Sequence, residues 1–170
     1  NLPENQQHVV RYLRRHKPLV AVMAPTCTPY GPMANLNFQI HHQGWRRSYD
    51  LASPHARFCA EVALLQMHNL RFWANENPHP SYIYEEVPWP LVFQYPGVHT
   101  RVMHQRMAGQ LGPNLLPAKK PTGFSSNSHL LTSVIGTFIC DGSHTHDNLE
   151  SNGSEACKLW TWPMAEALVD

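Results

Sequence analysis

The chain has 170 residues, of which 42% are hydrophobic and 15% charged, and its formal net charge is +1. A chain of this length and composition can bury a sizeable core and is too apolar for intrinsic disorder. The near-zero charge gives no overall field toward nucleic acid or an anionic membrane surface, and no stretch approaches the roughly 20 apolar residues that span a bilayer. We therefore expect one domain over residues 1–170, without a membrane partner.

The first half of the chain alternates helical and strand patterns. The predicted elements are a helix over 4–16, a strand over 19–24, a loop over 28–52, a helix over 53–69 and a strand over 70–75. The second helix is placed by Ser53-Pro54, the pattern of an N-cap followed by a proline in the first turn. Helix, strand, helix and strand in succession favour a parallel sheet with right-handed crossovers.

The second half is rich in proline and gives shorter elements. The predicted elements are a short helix near 82–86 or 88–94, a strand over 98–107, a loop over 108–120, a strand over 122–127 and helices over 129–135 and 158–169. Together the two halves predict an α/β fold: a three-layer, Rossmann-like domain with a mostly parallel sheet and helices on both faces.

Two predicted strands are each followed by a residue that could take part in catalysis. Cys27 follows the first strand, and Glu76 follows the second in the sequence Glu76-Asn77-Pro78. In open α/β folds the carboxyl ends of neighbouring strands meet at one edge, where ligands bind. A thiolate there can add to a heterocyclic ring while a carboxylic acid protonates a ring nitrogen, which suits covalent addition to a pyrimidine.

These segments resemble those of a known enzyme family. Pro25-Thr26-Cys27-Thr28-Pro29-Tyr30-Gly31 resembles the Pro-Pro-Cys-Gln-Pro-Phe-Ser loop of DNA cytosine-5 methyltransferases, and Glu76-Asn77-Pro78 resembles their Glu-Asn-Val motif. The whole chain is similar to the carboxyl-side part of methyltransferase-like domains in retroelement polyproteins and phage-type DNA methyltransferases. There a Lys-Pro-Thr strand and a Cys-x3-His-x-His run follow, as they do here from Lys120 and Cys140.

The resemblance implies a role for each matching residue. Cys27 would be the nucleophile on C6 of a cytosine flipped out of duplex DNA, and Glu76 would contact the ring near N3. DNA is the expected partner. The further substrate-binding positions implied by the resemblance are Pro25, Asn77, Pro78, Lys119, Lys120 and Thr122.

The methyl donor of this family is S-adenosylmethionine, which the family binds through a glycine-rich loop. No Gly-x-Gly sequence occurs in the chain. We therefore expect donor binding to need sequence upstream of Asn1, in a full-length parent protein. The first residue is asparagine rather than methionine, which indicates that the chain is cut from something longer, and the resemblance implies a mobile-element polyprotein.

The tail over residues 137–170 contains a candidate metal site. Cys140, His144 and His146 are followed by Cys157, and together they supply the four sulfur and nitrogen ligands that tetrahedral zinc prefers. Such an ion would hold the tail against the rest of the domain.

Two other interpretations of the chain stay open. The first is a non-catalytic nucleic-acid-binding or scaffold segment, in which Lys119, Lys120 and the basic residues 11–17 would contact phosphates. The second is an interaction domain that a zinc ion stabilises. Four cysteines at irregular spacing do not resemble a disulfide framework, so a reducing compartment, nuclear or cytoplasmic, is expected.

Overall fold

The computed structural model describes residues 2–147, 149, 157 and 159–166. Its strands are β1 (Val20–Met23), β2 (Phe72–Pro78), β3 (His99–His104) and β4 (Pro121–Ser126). Its α-helices are α1 (Leu2–His16), α2 (Ala34–Ile40), α3 (His42–His68), α4 (Trp89–Val92), α5 (His129–Ile135) and α6 (Trp162–Glu166). Short 3-10 helices cover Tyr82–Glu85 and Gln105–Ala108.

The four strands form one open sheet in the order β1-β2-β4-β3. β1 and β2 are parallel, with Val20 opposite Phe72 and Met23 opposite Asn75. β4 is inserted between β2 and β3 and is antiparallel to both. The α/β class is confirmed, but the described sheet is mixed rather than mostly parallel. The reason is that no long helix crosses over between β3 and β4, and a parallel pair needs such a crossover.

Helices cover both faces of the sheet, as expected. Side chains alternate along β2, so Trp73 and Asn75 point to one face and Glu76 points to the other. The face to which Trp73 and Asn75 point is called the α3 face. It buries Trp73 against a core that includes Ala56 and Trp89. The second, here the α5 face, buries Phe124, Met103 and Ile135 in a separate core with Met164 of α6.

The prediction for residues 28–52 is wrong. α2 and the first part of α3 occupy this stretch, and Pro54 lies inside α3 rather than in its first turn. The helix is stabilised there by Trp45, whose ring stacks on that of Tyr49 one turn later at 5.1 Å and whose indole N–H donates to the Pro29 carbonyl at 3.2 Å. Tertiary packing therefore overrides the local proline signal.

The helix predicted over 129–135 is confirmed as α5. The Ser128 hydroxyl caps it by accepting a hydrogen bond from the Leu131 N–H at 3.4 Å. The terminal helix is shorter than predicted within the described residues, where it spans Trp162–Glu166, and the predicted positions 158 and 167–169 lie outside them. None of the described helices combines the length and the apolar character needed to cross a lipid bilayer.

Candidate functional site

The ends of β1 and β2 meet at one edge of the sheet. The two strands are neighbours and parallel, so their carboxyl ends leave the sheet side by side. After β1 the chain continues to Cys27, whose carbonyl accepts hydrogen bonds from the N–H groups of Tyr30 and Gly31 at 2.9 and 3.0 Å. Pro25 is buried and Cys27 is half-buried at the start of this turn. The sequence therefore predicted correctly which strand ends are adjacent.

Glu76 lies within β2 rather than after it, because the strand runs on to Pro78. Its register partner is Phe124, so its side chain lies on the α5 face. Burial raises the pKa of the Glu76 carboxyl, and the charge of Lys120 opposes that rise. This shift favours the protonated form of the half-buried Glu76 carboxyl, which is the form that a general acid needs.

The chain after Cys27 turns toward the other face. Tyr30 is 2% exposed and packs in the core of the α3 face, where its carbonyl accepts from the Tyr82 N–H at 2.8 Å. The turn that follows Cys27 and the Glu76 side chain therefore lie toward different faces of the sheet. The two segments share the edge, so a ring that contacts both Cys27 and Glu76 must lie across it.

Asn77 has a structural task at this edge. It is 1% exposed, its side-chain oxygen accepts from the Ser81 hydroxyl at 3.2 Å, and its amide donates to the Glu76 carbonyl at 2.6 Å. Pro78 pairs with Thr122, which is fully buried. These residues hold the turn after β2 and connect it to β4.

A cavity of about 330 Å³ opens beside Pro78 on the α3 face. Its volume is within the range of small-molecule sites. Its walls are mainly apolar and aromatic, with the rings of Tyr84 and Phe93 at 5.0 Å in an edge-to-face arrangement. Ser81 and Thr100 add polar groups. The sequence prediction missed Tyr84 and Phe93, for which the only signal was aromatic residues interleaved with prolines.

A larger cavity, of about 750 Å³, lies beside α3 and is lined by charged residues. Arg57 and Glu86 form an ion pair there at 3.2 Å, and the Tyr49 hydroxyl accepts from Arg57 at 3.4 Å. None of the predicted site residues lines this cavity.

The two predicted lysines differ in environment. Lys119 is exposed, whereas Lys120 is half-buried and its ammonium donates to the Cys157 carbonyl at 3.1 Å. Lys120 is also close enough to Glu76 to act on its pKa. Lys120 therefore links β4, the tail and the buried carboxyl.

Cys140, His144 and His146 converge into one cluster. Their ligand atoms all lie within 4.8 Å of one another, with Cys140 Sγ 3.1 Å from His146 Nε2 and 3.8 Å from His144 Nε2. A cysteine and two histidines at this spacing could hold a metal ion. Cys157, the predicted fourth ligand, is not in the cluster and lies beside Lys120 instead.

The described residues do not fit S-adenosylmethionine. Among the described residues the glycines with positive φ are Gly97, Gly109 and Gly142, and none of them lies in the turn directly after β1 or β2. A backbone that approaches the donor closely after a strand would need glycine there.

Comparisons of the chain with models of known protein families, with curated proteins and with solved structures found no match.

Proposed function

We propose that the protein is a DNA cytosine-5 methyltransferase-like segment that acts on a cytosine base, with Cys27 as nucleophile and Glu76 as acid. The observation that carries the proposal is the adjacency of β1 and β2, whose parallel ends bring the segments of Cys27 and Glu76 to one edge. That edge is where open α/β sheets bind ligands. The antiparallel strand β4 lies on the far side of β2, so it leaves the parallel pair of β1 and β2 and their common edge intact.

The chemistry requires a thiolate and a protonated carboxyl. The Cys27 sulfur forms a bond to C6 of the ring, the C5–C6 double bond opens, and the Glu76 carboxyl gives its proton to N3. The burial that raises the pKa of Glu76 keeps that proton available. In water C5 of the adduct then takes up a proton and loses its original hydrogen. Release of the Cys27 sulfur and return of the N3 proton to Glu76 restore cytosine with an exchanged C5 hydrogen.

DNA is the proposed partner. An exposed lysine, Lys119, lies two residues before the start of β4 and would contact a phosphate, and Lys120 would position Glu76 at the base. The base would be flipped out of the helix, at a cost of a few kcal/mol of unstacking. Methyl transfer would in addition need a donor site formed by residues other than those that the structure describes.

Exchange at C5 tests the proposal without a methyl donor. The chain is incubated in D2O with an oligonucleotide that contains cytosine, and deuterium in the recovered cytidine is measured by mass spectrometry. We expect exchange above the protein-free rate, abolished by Cys27→Ser and reduced by Glu76→Gln. The matched control is Glu85→Gln, at an exposed glutamate, which should catalyse exchange as the unmodified chain does. Absence of exchange with the unmodified chain, or full exchange with Cys27→Ser, would contradict the proposal.

A second candidate is a non-catalytic nucleic-acid-binding segment. It is favoured by the position of Glu76 and of the turn after Cys27 toward different faces, and by the exposed basic end of α1 at Arg14, Arg15 and His16. Under this alternative the parent binds DNA with a steep salt dependence, loses affinity in Arg14→Ala and Arg15→Ala, and shows no C5 exchange.

A further inference from the structure

We propose that Cys140, His144 and His146 bind a zinc ion that fixes the segment after α5 against the end of β3. The inference is independent of the proposed function because it uses other residues. It differs from the sequence prediction in its ligand set, which excludes Cys157 and leaves one coordination position for water or an external ligand.

The spacing of the three ligand atoms fits tetrahedral zinc. With zinc–sulfur bonds of about 2.3 Å and zinc–nitrogen bonds of about 2.0 Å, neighbouring ligand atoms are roughly 3.5 Å apart. The separations from Cys140 Sγ to His146 Nε2 and to His144 Nε2, 3.1 and 3.8 Å, lie on either side of that value. One sulfur and two imidazole nitrogens select zinc over the oxygen-seeking magnesium and calcium ions.

The Cys140 sulfur is already surrounded by donors. The Gly142 N–H donates to it at 3.2 Å and the Arg106 guanidinium at 3.6 Å. Donors of this kind orient a sulfur that coordinates a metal ion. Gly142 has a φ of +76°, a conformation that glycine adopts without strain, and this allows its N–H to turn back to the sulfur.

Hydrogen bonds outside the cluster hold the segment in place at both ends. At one end the Cys140 N–H donates to His104 Nδ1 at 2.9 Å, and His104 N–H donates to the Phe138 carbonyl at 2.8 Å. At the other end the Asp147 carboxylate accepts from the backbone and side-chain N–H groups of Asn114, each at 2.7 Å. Between these anchors the chain has no helix or strand. The ligands are therefore brought together before an ion binds.

Arg106 is the competing cation at this cluster. Its Nη1 contacts His144 Nε2 and lies 2.7 Å from His144 Nδ1. A guanidinium is a donor only, so the Cys140 sulfur and one ring nitrogen of His144 accept hydrogen bonds from it. An ion bound to the same acceptors would displace it, and the positive charge that remains nearby would weaken binding.

Zinc titration of the full chain tests the site. The chain is stripped with EDTA, and Zn²⁺ affinity and stoichiometry are measured by competition with a chromophoric chelator. We expect one ion per chain, with affinity reduced more than about 100-fold by Cys140→Ser or His146→Ala, beyond what loss of an outer contact causes. His16→Ala, far from the cluster in sequence and exposed on α1, should bind as the parent does.

Two further measurements guard against variants that fail to fold. In the unmodified chain, Zn²⁺ should slow alkylation of Cys140 at least tenfold while Cys27 reacts at an unchanged rate. Arg106→Ala should bind Zn²⁺ more tightly than the parent because a positive charge is removed. Equal zinc affinity of the parent and Cys140→Ser, unprotected Cys140, or weaker binding by Arg106→Ala would each overturn the assignment.

Discussion

The indole N–H of Trp89 donates a hydrogen bond to the carbonyl of Ala56 at 3.0 Å, inside the core between α4 and α3. Both residues are fully buried, and the Trp89 ring also lies 5.6 Å from that of Trp73 on β2. One side chain therefore joins the short helix α4, the long helix α3 and the sheet. This contact holds the segment that follows the candidate site.

Two substitutions of Trp89 should destabilise the protein to different extents. Trp89→Phe keeps a ring and loses the hydrogen bond, for an expected loss of about 1–2 kcal/mol in the free energy of unfolding. Trp89→Ala also opens a cavity, for about 3–5 kcal/mol. Urea denaturation measures both. Trp162→Phe, at a tryptophan 74% exposed, should change stability by less than about 0.5 kcal/mol. Equal effects at the two tryptophans would contradict this role of Trp89.

Two glycines should respond to alanine in opposite directions. A Cβ at Gly112 would lie 2.6 Å from the Cβ of Asp147 and would displace the carboxylate from Asn114. We expect Gly112→Ala to cost about 1–3 kcal/mol, since buried hydrogen bonds are lost. Gly44 lies in α3 with open space around it, so Gly44→Ala should stabilise by about 0.5–1 kcal/mol. Thermal unfolding of the two variants checks the sign of each change.

The Ser128 cap should account for a measurable part of the stability of α5. Ser128→Ala leaves the Leu131 N–H without its side-chain acceptor and should cost about 1 kcal/mol. Ser133 lies exposed in the same helix, so Ser133→Ala is the control and should change little. Chemical denaturation followed by far-UV circular dichroism compares them. An equal loss for both variants would mean that helix propensity, not capping, is being measured.

The buried carboxyl of Glu76 should make stability depend on pH. Burial raises its pKa in the folded chain above that of the unfolded chain. Its contribution to stability is therefore full below the unfolded pKa and is lost as pH rises through the folded pKa. We expect the unmodified chain to lose stability relative to Glu76→Gln as pH rises from about 4, near the unfolded pKa of glutamate, through the raised folded pKa of Glu76. Denaturation midpoints of the two proteins across that range measure the difference in stability. If the two plots of midpoint against pH run parallel, the pKa of Glu76 is not raised.

Elements with strong local signals were predictable from the sequence. The helix over 129–135 has a serine cap immediately before it, and the strand over 19–24 is a short apolar run that ends at a proline. Residues 28–52 were not predictable in this way. Their helices depend on contacts such as that of Trp45 with the distant Pro29 carbonyl, which no local pattern encodes.

The order and direction of the strands were also not predictable from the sequence. Nothing in the local pattern of residues 121–126 states that this strand enters between β2 and β3. The same limit affects the candidate site. The adjacency of the Cys27 and Glu76 segments follows from chain order, but the face to which Glu76 points depends on register with Phe124. The Cys140, His144 and His146 cluster was easier because its members lie within seven consecutive residues.

β4 lies inside the sheet and is the last of the described strands to be synthesised, so the sheet is completed only when this strand emerges. Until residues 121–126 emerge, β2 has only β1 as a partner and β3 has none. A nascent or truncated chain that stops before Pro121 would expose the hydrogen-bonding edges of two strands at once, which is a known route to aggregation. Fragments for expression should therefore extend beyond α5, and chain release before that point should leave material that chaperones retain.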